Sequence, residues 1–204
     1  MGRVCLKPMG GGIIISVDEK LKEILSRWQK KRITDDKLVP AAVLLPIYYK
    51  EGEIHILFTR RTENVKTHKR QISFPGGARQ EGESLLQTAL RESTEEIGLA
   101  PDKVEILGEL DDTVTLVSNY IVSPFVGLIP WPYDFKVDGW ETDEIIEAPI
   151  PALLDDESWH HKTEVIAGRE VTAYSYHYRG DVIWGATARI LHQFLELFVQ
   201  AVNS

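Results

Sequence analysis

The chain has 204 residues, 43% of them apolar and 26% charged, with a net charge of −8. That suits one globular domain with a sizeable core, and the acidic balance argues against nucleic-acid binding through a broad basic face while leaving room for a local basic pocket. The lone cysteine, Cys5, allows no intramolecular disulfide, the longest apolar runs are too short to span a bilayer, and neither end carries a recognisable sorting signal, so a cytoplasmic protein away from membranes is expected.

Residues 1–15 read as a tail. Ser16 and Glu19 stand at capping-box spacing. Leu21, Ile24, Leu25 and Trp28 follow at helical spacing, so an amphipathic helix is expected over 16–32. VPAAVLLPIYYKEGEIHILFTRR is two β-prone runs around a turn and reads as a hairpin. ISFPGGARQEG reads as strand and then loop. A helix follows from about Ser84 to Ile97, stopped by Gly98 and Pro101. VEILGEL and YIVSPFVGLIP read as strands, with DDTVTLVSN as a polar loop between them. WPYDFKVDGWETDEIIEAPIPALL reads as loop, short strand and helical turn. REVTAYSYHYRGDVIWG is a second hairpin, and ATARILHQFLELFVQAV a final amphipathic helix. With no repeat or linker, this order predicts a single α+β domain over 1–204, its sheets flanked by helices.

The helix at 84–97 carries the first chemical signal. At about 100° per residue, Leu86, Leu90, Ser93 and Ile97 share the expected core face, and Glu92, Glu95 and Glu96 fall together on roughly the opposite side. Like charges at these spacings cost about 0.2–0.5 kcal/mol per pair. The helix dipole disfavours anions in the last turn by about 0.3–1 kcal/mol more. Arg91 lies N-terminal to Glu95, the weaker orientation for a helical ion pair. A divalent cation reverses the sign of each of these terms, and hard oxygen ligands suit Mg²⁺ or Mn²⁺. Spacing alone leaves both a metal site and a plain solvated face open. The FPGG loop upstream offers a free carbonyl, and Glu83 can turn back toward the same place.

Gly77, five residues, Glu83, seven residues and then RESTEEIGL resemble the Nudix box, Gly-x5-Glu-x7-Arg-Glu-U-x-Glu-Glu-x-Gly-U with U apolar. Gly77, Glu83, Arg91, Glu92, Glu95, Glu96 and Gly98 match, Leu99 fits the last apolar slot, and Ser93 departs at the first. The resemblance implies an α/β/α sandwich around a mixed sheet, and a hydrolase of nucleoside diphosphates linked to another group. It implies Glu92, Glu95 and Glu96 as ligands of Mg²⁺ or Mn²⁺, the Gly76 carbonyl as a fourth, Glu83 as a supporting ligand and Arg91 as a structural residue orienting a glutamate. Glu95 and Glu96 are accordingly catalytic candidates.

LFTRRTENVKTHKRQISFPGG, residues 57–77, is a strand end entering a basic loop with Arg60, Arg61, Lys66, Lys69 and Arg70 around His68. Such a cluster suits an anionic substrate, although composition alone also allows a solvated loop. The stretch resembles the coenzyme A pyrophosphatase signature, L-L-T-x-R-S-x3-R-x3-G-x3-F-P-G-G. Leu57, Thr59, Arg61, Phe74, Pro75, Gly76 and Gly77 match, whereas Lys66 stands in place of Arg and Arg70 in place of Gly. The similarity runs over roughly residues 39–200. It implies coenzyme A or acyl-CoA as substrate, with Arg60, Arg61, Lys66 and Arg70 as substrate-binding residues. An ADP-ribose, ADP-sugar or dinucleotide pyrophosphatase is the rival, and a non-catalytic nucleotide-binding regulator of the same fold the alternative of a different class. For the general base, DGWETDEIIE offers Asp138, Glu141, Asp143 and Glu144. Glu144 ranks first because it stands at the subgroup's acidic position, against a reading of all four as loop charges. Tyr120, Trp131 and Trp140 are weighed as adenine-stacking residues against plain packing. The expected partner is a small nucleotide. Whether the protein is a monomer or a homodimer stays open.

Overall fold

The computed structural model describes residues 16–63, 70–115, 118–166 and 169–204, so the expected tail and the loop residues Lys66, His68 and Lys69 lie outside the described residues. Helix α1 (Val17–Arg27) starts where the capping box places it: the Ser16 backbone N–H donates to the Glu19 carboxylate at 3.1 Å. The helix ends at Arg27, short of the expected 32. The next residues are tied down instead. Trp28 Nε1 donates to Asp111 at 2.8 Å, the Lys31 backbone N–H reaches the same carboxylate at 3.0 Å, and Lys30 Nζ lies 2.8 Å from Asp112. Those contacts hold the chain extended and override its helical periodicity.

Strands β1 (Val39–Lys50) and β2 (Glu53–Arg61) form the expected hairpin. Its turn residues, Glu51 and Gly52, both take positive φ, the conformation whose twist matches paired strands. The main sheet runs β3 (Ile72–Ser73), β2, β1, β7 (Tyr120–Leu128), β5 (Glu105–Glu109). Off that path, β4 (Gly76–Ala78) pairs with β1, β6 (Thr113–Val114) with β7 and β8 (Thr142–Pro149) with β2. β1 and β7 are parallel and the other pairs antiparallel, so the sheet is mixed. β6 falls inside the stretch read as a loop. Two residues are too few for an alternation to register in sequence.

β1 is buried on both faces, which is why its apolar run is nearly continuous. Leu45 and Ile47 join a core with Leu21 and Leu25 of α1 and Leu191 and Phe194 of α4 (Gly185–Asn203). Ala42, Leu44 and Tyr48 join a second core with Ala89 and Ile97 of α2 (Leu85–Ile97). The result is the α+β arrangement expected, helices on both faces of a mixed sheet. A short helix, α3 (Ile150–Leu153), follows β8. A separate three-stranded sheet, β11 (Asp181–Trp184), β10 (Arg169–Tyr178), β9 (Trp159–Ile166), packs Tyr176 and Ile183 into the first core. β10 and β11 are the second expected hairpin. β9 goes unannounced, because its HHKTE centre shows no apolar alternation. Among the described residues, no helix is long and apolar enough to cross a membrane.

One detail of register places the site. β1 pairs with β2 over Ile47–Lys50 but with β4 over Ala41–Val43. The two long strands therefore part company toward the start of β1, and the Gly76–Gly77 backbone occupies the opening.

Candidate active site

Helix α2 is built by local rules. Ser84 caps its N-terminus by accepting from the Gln87 N–H at 3.2 Å, and Gly98, at φ +68°, closes its C-terminus. Its inner side meets β4 at very close range. A Cβ on Gly77 would stand 2.5 Å from Glu92 Oε1, and one on Gly76 would stand 2.3 Å from the Ala42 carbonyl oxygen. At Gly76 the obstacle is β1 backbone, so only glycine fits; at Gly77 a side chain would have to displace the Glu92 carboxylate.

Glu96 is buried, at 5% exposure. Gly76 N–H donates to its Oε1 at 3.2 Å, and the hydroxyls of Thr142 and Thr59 donate to Oε2 at 3.2 and 3.4 Å. Burial pushes the Glu96 carboxyl up to about 7, with the nearby Glu92 charge adding to the rise and the Gly76 N–H opposing it. This corrects the helical wheel. Glu96 does not share a solvated face with Glu95, which is 58% exposed, but lies at the edge of the core beside Ser93 and Ile97. Leu90, expected in the core, is only half-buried. The sheet covers a wider arc of α2 than its leucines mark, and that arc reaches Glu96.

Arg91 holds the remaining box carboxylates together. Its Nε lies 2.7 Å from Glu83, and its Nη1 lies 2.8 Å from Glu92 and 2.9 Å from Glu95. The guanidinium pulls the Glu83 carboxyl down to about 2. Glu92 shifts the other way, because burial outweighs its contact with Arg91. Glu83 also accepts from the Thr88 hydroxyl at 2.9 Å, which turns it toward the helix.

Glu92, Gly76 and Gly77 line a cavity of about 420 Å³ together with Arg61, Glu141 and Trp184. Arg61 Nη2 lies 3.8 Å from Glu141, and Arg61 Nε is buried with no hydrogen-bond partner among the described residues. Glu144 lines a different cavity. It pairs with Arg60 at 2.7 Å, and Arg60 grips both oxygens of Asp181 at 2.8 Å. The reason is a register shift between Arg60 and Arg61: Arg60 faces Glu144 and Arg61 faces Thr142, so Asp143 is an extra residue. Thr142 turns in toward Glu96, while Glu144 shares the face of Ile146 in the core under α4. The ranking of Glu144 as base, and of Arg60 as a substrate ligand, is thus not supported by placement. Arg61 and Glu141 are the residues the fold brings to Glu92.

The other expected residues separate as well. Arg70 takes φ +57° and its side chain lies 3.8 Å from Glu63. Tyr120 lines the Glu92 cavity, Trp131 stacks on Tyr48 in the core at 4.6 Å, and Trp140 is 68% exposed. Thr142 and Trp184 escape a sequence reading altogether. Thr59 could have been found, since it occupies a fixed position of the signature quoted above.

Residues 37–174 match the NUDIX domain model. The chain belongs to the Nudix family. An uncharacterized Nudix hydrolase NudL from Photorhabdus laumondii is 35% identical over 183 residues, covering 86% of this chain and 96% of that protein. NudL from Yersinia pestis is 34% identical over 157 residues, covering 76% and 78%. Among solved structures, a MutT/nudix family protein from Enterococcus faecalis aligns with TM-score 0.58 at 14% identity, over 90% of this chain and 73% of that one. An Ap4A hydrolase from C. elegans aligns with TM-score 0.54 at 16% identity, over 81% and 98%. At such identities the structural likeness speaks for the fold alone. The protein is a Nudix hydrolase acting on a nucleoside diphosphate derivative, and hydrolases of this family generally use divalent metal ions.

The Nudix box of this chain fits such an ion in its chemistry. The donors are all oxygen, as a hard cation requires, and Glu96 is a buried carboxylate with no ion pair among the described residues. The box is not a closed ligand shell: among the described residues no three acidic, histidine or cysteine side chains converge in metal-binding geometry. Arg91 occupies the space between the outer glutamates instead.

Proposed function

We propose that this Nudix hydrolase cleaves the diphosphate linkage of coenzyme A or an acyl-CoA, giving 3′,5′-ADP and (acyl-)4′-phosphopantetheine, as one domain over residues 1–204 working in the cytoplasm. The observation that carries the substrate reading is Arg70. It stands where the coenzyme A pyrophosphatase signature has glycine, and it takes φ +57°, a backbone state that glycine adopts freely and arginine does not. The departure therefore lies in the side chain, while the loop keeps the conformation that explains the glycine. Thr59 and Arg61, two further signature positions, stand at Glu96 and in the Glu92 cavity.

Glu92, Glu95, Glu96 and the Gly76 carbonyl would hold Mg²⁺ or Mn²⁺, which when bound neutralises the diphosphate and lowers the pKa of a water. Glu83 has a supporting part, through Arg91. Arg91 fixes the direction of Glu92 and Glu95 before substrate arrives. Arg61, which lines the same cavity, takes a diphosphate oxygen through its guanidinium. Glu141 replaces Glu144 as the base. It accepts a proton from the water whose oxygen bonds to phosphorus as the bridging P–O bond breaks. The test is direct: incubate the protein with coenzyme A, acetyl-CoA, ADP-ribose, NADH and diadenosine polyphosphates with Mg²⁺ or Mn²⁺, and identify products by mass. Release of 4′-phosphopantetheine is expected. Intact coenzyme A beside cleaved ADP-ribose overturns the substrate reading.

A further inference from the structure

A second cavity, of about 500 Å³, opens between the β9–β11 sheet and the start of α4. It is contiguous with the Glu92 cavity, because Trp184, Gly185 and Ala186 line both. Its walls carry an unbalanced positive charge. Lys162 is matched by Glu164 at 2.7 Å. Arg189 has no such match: among the described residues it forms no ion pair, its Nη2 donates to the Val114 carbonyl, and its Nε is buried without a hydrogen bond. Burial pulls its pKa below the ordinary range, yet a guanidinium stays charged at neutral pH. A half-buried cation without an anion is unfavourable by itself, and an anionic ligand reverses that. His161 adds a ring nitrogen on the side of Tyr174, the face turned toward α4. The first turn of α4 adds backbone N–H groups that no side chain caps. Trp184, 47% exposed, stands at the junction with an aromatic face available to a nucleobase.

We propose that this second cavity is the subsite for a phosphate monoester remote from the scissile diphosphate, with Arg189 as its anchor and Trp184 as the wall against which the base lies. The inference rests on the coenzyme A reading, which supplies such a group: the 3′-phosphate and the diphosphate hang from one ribose and would enter neighbouring cavities. It makes Arg189 a specificity residue, apart from the chemistry at Glu92.

The subsite is tested first by binding, without turnover. Calorimetric titration of the wild-type protein with 3′,5′-ADP and with 5′-AMP should show about tenfold tighter binding of the former, as one charge-assisted contact predicts. Arg189→Gln should bring the two affinities together, and Arg189→Lys should restore part of the gap, with melting temperatures verifying that both variants fold. In turnover, Arg189→Gln should lose about tenfold more kcat/KM on coenzyme A than on dephospho-coenzyme A, mainly through KM. Equal wild-type affinities for the two nucleotides overturn the subsite whatever the substrate, and so does an unchanged gap in a folded Arg189→Gln. A clear gap in a protein that leaves coenzyme A intact upholds the subsite and overturns only the choice of substrate.

Discussion

Two clusters of arginine and carboxylate sit on opposite faces of the same sheet, and they are balanced differently. Under α4, Arg60 clasps Asp181 with both Nη atoms and reaches Glu144 with Nε, so the ion pairs tie β2 and β8 to β11 and leave few groups unmatched. On the α2 face, Arg91 serves Glu83, Glu92 and Glu95 at once, and Glu96 is buried with no ion pair among the described residues. The first cluster is a clamp that sets one cation against two carboxylates. The second carries more negative charge than its own residues neutralise, which is the state a cation-dependent site needs before it is loaded.

The largest expected effect follows from that imbalance. Glu96→Gln keeps the shape and the hydroxyl and N–H contacts in part, but removes the buried charge. Turnover should fall at least about a hundredfold. The melting temperature should stay within a few degrees and should no longer rise when Mg²⁺ or Mn²⁺ is added, whereas wild type gains about 2.7 kcal/mol at a hundredfold excess over Kd. Wild-type rates surviving in Glu96→Gln would sink the site assignment.

The next test separates the two faces directly. Glu141→Gln should cost about a hundredfold in kcat, the scale of a lost general base. Glu144→Gln, on the clamp side, should leave kcat within about twofold. The reverse pattern would return the base to Glu144 and mean that the register shift at Arg60–Arg61 does not control which carboxylate serves the reaction.

Smaller effects belong to the clamp. Arg60→Ala leaves Asp181 and Glu144 without their cation and should destabilise by about 2 kcal/mol, below the range for a fully buried pair because Glu144 is more than half exposed. Urea denaturation measures it. The pH dependence carries the sign. The Arg60 hydrogen bonds hold the Asp181 carboxyl below its usual range, so its folded pKa lies under the unfolded value of about 3.9. Its stabilising contribution is complete above that value and is lost as pH falls through the folded pKa. Arg60→Ala should therefore flatten the acid limb of stability against pH. An unaltered limb would mean that Asp181 is not the group titrating there.

The smallest effect tests the loop. Arg70→Gly relieves a left-handed arginine and should stabilise the fold by about 1 kcal/mol or less, since glycine's greater freedom in the unfolded chain offsets part of the relief. A melting curve resolves it. A clear loss of stability would mean that the Arg70 side chain contributes more than the turn costs.

Most of the fold is legible in the sequence because most of its signals are local. Both two-residue hairpin turns take positive φ at adjacent positions, Glu51–Gly52 and Arg179–Gly180, and the glycines announce them. A capping box needs two side chains three residues apart, as at Ser16 and Glu19. The end of α1 and the existence of β9 were not legible. One depends on Asp111 and Asp112, far along the chain, and the other on pairing with β10.

For the site, the sequence by itself determined which glutamates share α2, since helical spacing within one element fixes that, and it placed glycines and basic residues shortly before them along the chain. Only the tertiary structure decided that Glu96 is buried between two threonines, that Arg61 faces the Glu92 cavity while Arg60 faces away, and that Glu141 lines that cavity while Glu144 lines another. An extra residue in one strand reverses the face of everything beyond it, and that shift is set by pairing between segments some eighty residues apart.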